Sequence, residues 1–210
     1  KILQSSMDSL RQRTGRSIQL RRVIVKDTSK VRDVDLGRIP VSNDIRTVID
    51  DPEIHVAIHV VGGINPARED VTRLLESGKD VITANKALLY EHGAELFAIA
   101  GKRNRTICFE AAVAGGIPII SAVNTALTAN RIVSIEAILN GTSNFILTRM
   151  LDRRETYDAV LAEAQARGYA EADPAMDVDG TDAAQKLSIL TQLAFCTRVP
   201  LEDIVRQGIQ

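Results

Sequence analysis

The chain has 210 residues, enough for one large domain or two small ones with an ample core. It holds 26 Lys and Arg against 27 Asp and Glu, a net charge of -1, with 3% aromatic residues and no basic stripe, which excludes nucleic acid and anionic membranes as electrostatic partners. No apolar run approaches the roughly 18 residues of a membrane span, and the N-terminus shows no secretory signal pattern. Cys108 and Cys196 lie far apart in apolar segments and read as reduced core residues of a cytoplasmic protein. His55, His59 and His92 have no metal-ligand spacing; the first two fall in an extended apolar run, where core or edge positions are expected.

Residues 2–13 read as an amphipathic helix, because Ile2, Leu3, Met7 and Leu10 recur at helical spacing and Gly15 lies beyond the end. Residues 20–25 predict a short strand and residues 44–49 a short helix. Residues 54–61 form a nearly continuous apolar strand closed by Gly62-Gly63. Pro66 opens a helix that Gly78 closes. Residues 80–84 predict a strand, 86–100 a helix and 106–110 another strand. Apolar strands alternating with helices imply a doubly wound parallel sheet covered on both faces.

A dinucleotide fold of this kind begins with a strand and a Gly-rich turn, which lets a pyrophosphate reach the first helix N-terminus. Here the chain starts inside what reads as that first helix, and no G-x-G-x-x-G precedes it. The expectation is a chain lacking that strand. Beyond Glu110 the pattern changes: residues 117–126 are helical, 131–140 read as a strand, and Gly141-Thr142-Ser143-Asn144 turns into a helix reaching about Leu151. A helix over 156–167 stops at Gly168, and a last helix spans 181–196.

Between those last two helices lies the most charged stretch. Glu171, Asp173, Asp177, Asp179 and Asp182 crowd beside Lys186, and Asp182 and Lys186 sit four apart on one helix face. A carboxylate cluster beside one lysine can hold an ammonium group and move a proton. The plainer alternative is a capped helix start carrying a surface ion pair. Asp177-Val178-Asp179-Gly180 resembles part of a calcium loop. With Gly180 at the sixth position, Ala175 and Lys186 fall where acids are required, so calcium binding of that type is excluded.

Four collinear motifs resemble the homoserine dehydrogenase family. They are Val81-Ile82-Thr83-Ala84-Asn85-Lys86-Ala87-Leu88, Phe109-Glu110-Ala111-Ala112-Val113-Ala114-Gly115-Gly116-Ile117-Pro118, Ile138-Leu139-Asn140-Gly141-Thr142-Ser143-Asn144-Phe145, and Gly168-Tyr169-Ala170-Glu171-Ala172-Asp173-Pro174 running on to Asp182 and Lys186. The resemblance implies a Rossmann-like NAD(P)-binding domain over residues 1–112 and an incomplete α+β substrate-binding and dimerisation domain over 113–210. It also implies interconversion of L-homoserine and L-aspartate 4-semialdehyde by a cytoplasmic homodimer in threonine, methionine and isoleucine biosynthesis.

By the same resemblance, Lys186 is the proton shuttle and Lys86 lies beside nicotinamide and substrate. Glu171 and Asp182 match residues that hold the substrate ammonium, and Asp177 matches a supporting carboxylate. Asn140, Gly141 and Thr142 offer backbone amides at a helix N-terminus to the substrate carboxylate. Thr83 and Asn85 supply polar contacts to the cofactor. Lys26, Lys30 and Arg32 lie where a 2′-phosphate would approach, whereas Asp27 suits ribose hydroxyls, so NADP and NAD both remain open. Glu110, Val113, Gly115 and Ile117 match a monovalent-cation site for Na or K, whose one carboxylate and several carbonyls suit a weakly held hard cation. The acids around Lys186 favour its ammonium form, which makes reduction the easier direction near neutral pH. A second reading is a truncated or degenerate member without turnover that serves as a dimerising module through residues 131–140. A third, a ligand-binding regulatory domain, needs no lysine opposite the acids.

Overall fold

A computed structural model describes residues 2–209. Helices α1 (Ile2–Ser5) and α2 (Met7–Thr14) replace the single N-terminal helix expected, with a break at Ser6, and α2 buries none of its residues. Strand β1 (Val23–Ile24) pairs in parallel with β2 (Val41–Ser42), and α3 (Arg46–Ile49) follows. Strand β3 (Val56–His59), helix α4 (Ala67–Glu76), strand β4 (Asp80–Thr83), helix α5 (Lys86–Arg103) and strand β5 (Ile107–Cys108) form the central βαβαβ unit. Its strands are parallel in the order β3-β4-β5, with Ile58 opposite Ile82 and Ile82 opposite Cys108.

Local chemistry explains the boundaries of this unit. Pro66 stands at the N-cap of α4, where its missing N–H costs nothing, and Gly78 turns the chain towards β4 at φ 83°. Asn85 caps α5 by accepting the Leu88 amide at 3.0 Å. Asn104, in the left-handed conformation, ends that helix.

Alternation along the strands decides what the core is. Val81, Thr83 and Ile107 point to one face and are buried with Val71, Leu74, Leu75, Leu88 and Leu96 of α4 and α5. The opposite face carries Val56, Ile58 and Ile82, which are 48%, 57% and 39% exposed. The sheet is therefore covered on one face rather than on both. Cys108, expected in the core, lies beside Ile82 on the uncovered face and is exposed. Cys196 is also exposed, at the left-handed end of the last helix. His59 is a core residue, as its setting suggested, only 6% exposed, with Nε2 3.8 Å from an Asp70 oxygen, too long for a hydrogen bond. Burial pushes its pKa down, and Asp70 opposes that shift.

Beyond β5, a 3₁₀ turn over Glu110–Ala112 leads to the short helix α6 (Ile119–Ser121) and a π turn over Ala122–Ala126, in place of the continuous helix expected. Residues 131–140 are extended but pair with no strand among the described residues, so the strand expected there has no ladder. Helices α7 (Gly141–Arg153) and α8 (Tyr157–Ala166) pack around Ile146 and Val160, α9 (Ala175–Val178) is one turn, and α10 (Thr181–Phe195) packs against both α5 and α9. No helix among the described residues is long and apolar enough to cross a membrane.

One-sided burial makes a direct prediction. Leu75→Ala, at a wholly buried site, lowers unfolding stability by about 2–5 kcal/mol in urea titration. Ile58→Thr on the open face changes it by less than about 0.5 kcal/mol. Comparable losses in both variants would mean that the second face is covered.

Candidate active site

The site forms where α5 meets α10. Lys86 is the first residue of α5, where its positive charge opposes the helix dipole. Asp182, in the first turn of α10, answers that charge: its Oδ1 accepts a hydrogen bond from Lys86 Nζ. Its Oδ2 accepts from Lys186 Nζ at 2.6 Å and from Asn140 Nδ2 at 2.9 Å. Asp182 is only 4% exposed, a burial a lone carboxylate could not sustain. Desolvation pushes its pKa up, but the hydrogen bonds from Lys186, Lys86 and Asn140 outweigh it and hold the carboxyl below its ordinary range.

Asn140 joins a third segment to the cluster. Its Nδ2 also donates to Asp177 Oδ1 at 2.7 Å, and its Oδ1 accepts the Ser143 amide at 2.7 Å, capping α7. The Asn140 side chain is thus spent on the two acids and on its own helix. The Thr142 hydroxyl donates to Tyr169 O at 2.8 Å, which leaves backbone amides at Gly141 and Thr142 as anion donors. Lys186 Nζ donates in addition to Leu139 O at 2.8 Å, a main-chain contact that no sequence motif signals. Lys186 and Lys86 both keep partial exposure, 18% and 28% of their side chains, so a small molecule can reach each ammonium group.

Glu171 stands apart. It is exposed, and its carboxylate pairs with no described residue; only its carbonyl takes part, accepting from Gln165 Nε2 at 3.2 Å. The reason is local: Gly168 turns the chain at φ 73°, and residues 169–174 run over the surface before α9 begins.

At the cofactor side, Thr83 Oγ1 accepts the Asn85 amide at 3.1 Å, and Asn85 Nδ2 donates to Val61 O at 2.9 Å and Gly63 O at 2.6 Å. Asn85 thereby ties the loop after β3 to the α5 N-terminus at the carboxyl ends of the strands, where open α/β sheets bind ligands. A Cβ built on Gly62 or Gly63 would meet nothing within 4 Å, so that loop is open to a neighbour. Lys26 is exposed just past β1. Arg32 is turned back on its own loop, donating to Lys30 O at 2.6 Å and Asp27 O at 2.5 Å.

The Glu110 carboxylate accepts from Ile120 N at 2.8 Å, Ser121 N at 3.0 Å and the Ser121 hydroxyl. Burial raises its pKa, and these donors outweigh that and lower it. Ala114 and Gly115 take positive φ, and the carbonyls of Val113 and Gly115 accept no hydrogen bond among the described residues, whereas Ile117 O accepts from Ile119 N at 2.8 Å. No group of three or more His, Cys, Asp or Glu side chains among the described residues is placed to hold a metal ion.

Comparison with known proteins bears on this arrangement. Residues 2–110 match the family model described as homoserine dehydrogenase, NAD binding domain, and residues 118–210 match the one described as homoserine dehydrogenase. The homoserine dehydrogenase of Bacillus subtilis (strain 168) is 44% identical over 209 residues, 100% of this chain and 48% of that protein. The crystal structure of a homoserine dehydrogenase from Thiobacillus denitrificans aligns with a TM-score of 0.91 at 45% identity, covering 99% of this chain and 48% of that one. A hyperthermophilic archaeal homoserine dehydrogenase in complex with NADPH aligns with a TM-score of 0.68 at 30% identity, covering 75% and 49%. The chain spans about half the length of the curated relatives it matches.

Because the folded-state pKa of Asp182 lies below its unfolded value, its stabilising contribution is present above the ordinary carboxylate range and is lost as pH falls through the lowered value. Asp182→Asn lowers stability at neutral pH by about 1–3 kcal/mol, since two ammonium groups lose their counter-charge and one of the two acceptor oxygens becomes a donor. The gap to the parent chain narrows in acid denaturation. An unchanged gap from neutral to strongly acidic pH would refute the charged role of Asp182.

Proposed function

The chain belongs to the homoserine dehydrogenase family, and from that membership we propose that it carries the catalytic half-site for interconverting L-homoserine and L-aspartate 4-semialdehyde with NAD(P). The observation that carries the reading is the buried Asp182 carboxylate bridging Lys86 of α5 and Lys186 of α10. Residues 1–112 form the cofactor-binding part and 113–210 the substrate and dimerisation part.

NAD(P), when bound, supplies or accepts the hydride. Lys86 lines its approach at the carboxyl ends of β3 and β4, with the buried Thr83 and Asn85 fixing the turn behind it, and the open flank of Gly62-Gly63 fits a ligand laid across that edge. The ammonium groups of Lys26 and Lys30 pair with no described residue and suit a 2′-phosphate, and Arg32 reaches one only by leaving its loop carbonyls.

In the reductive direction, Lys186 Nζ donates a proton to the carbonyl oxygen of the semialdehyde as the alkoxide forms; in oxidation the same nitrogen receives it. Asp182 keeps Lys186 oriented and, with Asp177 and Glu171, attracts the substrate ammonium. Asp182 already holds two lysines, so the substrate amine enters by competing for an occupied carboxylate, and Lys86 is the partner it displaces with least loss of burial. The Gly141 and Thr142 amides at the α7 N-terminus receive the substrate carboxylate. A monovalent cation, Na or K, fits the free carbonyls of Val113 and Gly115 with Glu110 and Ile117, where its role is to fix the turn between the two parts.

Val133 and Ile138, which are 81% and 76% exposed on an extended segment without a ladder, suit pairing with a second copy, consistent with a homodimer working in cytoplasmic amino-acid biosynthesis.

The test follows oxidation of NADPH by aspartate 4-semialdehyde, with NADPH binding measured in parallel by its fluorescence. Lys186→Ala lowers kcat by about 10²–10⁴ while NADPH still binds, as expected for a lost general acid. Turnover independent of Lys186 would overturn its assignment. Cofactor binding without turnover in either form would leave the chain a binding module.

A further inference from the structure

The three arginines around the start of the β1–β2 pair belong to none of the chemistry described above. Arg21 and Arg22 precede β1, and Arg38 precedes β2; Val23 N donates to Pro40 O at 3.1 Å, so the two approaches run side by side. Together with Ile39, Pro40 and Asp51 they line a recess of about 360 Å³. It opens at the amino ends of the two strands, whereas Lys26 and Arg32 lie past the carboxyl end of β1.

The charges in this recess do not balance. Asp51 is its one acid: Oδ1 accepts the Glu53 amide at 2.9 Å, and Oδ2 lies 3.5 Å from Arg21 Nη2. The Asp51 carboxyl is held below its ordinary range chiefly by that amide, with the charges of Arg21 and Arg22 adding to the effect. Neither Arg22 nor Arg38 makes a hydrogen bond or ion pair with any described residue. More telling, Nε of Arg22 is shut off from solvent and has no acceptor. A buried guanidinium N–H without an acceptor is costly and uncommon, and here it borders an open recess beside a second unpaired guanidinium.

We propose that Arg21, Arg22 and Arg38 form a binding site for a small oxyanion of the phosphate class at the amino ends of β1 and β2. Planar forked donors suit such an ion, since each guanidinium can give two parallel N–H bonds to adjacent oxygens. Three arginines less Asp51 leave an excess of two positive charges, which a phosphate dianion matches and a single carboxylate does not. The Nη groups of Arg22, which unlike its Nε are not shut off from solvent, and the exposed Arg38 are the donors an ion in the recess can reach, and Asp51 keeps Arg21 at the rim.

The experiment is isothermal titration calorimetry of the chain with inorganic phosphate at fixed ionic strength, repeated with acetate and with a sugar phosphate. One saturable phosphate site is expected, weakened about tenfold or more in Arg22→Gln and in Arg38→Gln and unchanged in Arg103→Gln at the exposed end of α5. Arg38 is exposed, so its variant keeps the fold and carries the test should Arg22→Gln unfold. A sugar phosphate binding more tightly than the free ion identifies a metabolite's phosphoryl group as the source; the reverse identifies free phosphate. Absence of saturable binding, acetate binding as tightly as phosphate, or loss in Arg103→Gln with retention in Arg22→Gln and Arg38→Gln would each overturn the proposal.

Discussion

A carboxylate buried among three separate segments organises this protein. Asp182 brings together the first residue of α5, the cap of α7 and the second turn of α10. Each donor removes part of the penalty for burying a charge, and no one of them would suffice. In return the acid fixes where two ammonium groups stand, one at the edge of the parallel sheet and one on the helix behind it. The proximity of the α5 start and Lys186 thus rests on satisfying Asp182.

Supporting hydrogen bonds follow the same economy of donors. Asn85 uses its carbonyl to cap α5 and its amide to grip the loop after β3. Asn140 does the same for α7 and the acids. An asparagine suits both places because one short side chain presents an acceptor and two donors in a fixed plane. Replacing either by aspartate would keep the cap and lose the grip. Fixed starts of α5 and α7 are therefore a consequence of residue choice, and the first of them sets where Lys86 stands.

Where the chain packs loosely, the reason is again visible in residue pairings. Val56, Ile58 and Ile82 have the apolar character of buried strand positions, yet they stay exposed among the described residues. Helix α2 could have covered them by sequence pattern, but it buries nothing. The extended segment 131–140 has the alternation of a strand and no neighbour to pair with. A strand requires a partner, and periodicity within one segment reports only that segment's readiness to pair.

Periodicity and punctuation by themselves determined the order of elements: Pro66, Gly78 and Gly168 mark boundaries because each limits backbone geometry within a few residues. The Asp182–Lys186 pair was also readable, since four residues on one helix always bring side chains together. Tertiary structure alone decided that Lys86, 96 positions from Asp182, completes the cluster, that Glu171 stays outside it, and that Asn140 serves the acids. It also decided which sheet face is core, and so left Cys108 at the surface. Local rules act through bonded neighbours, whereas the burial of a charge depends on groups the chain brings together only when it folds.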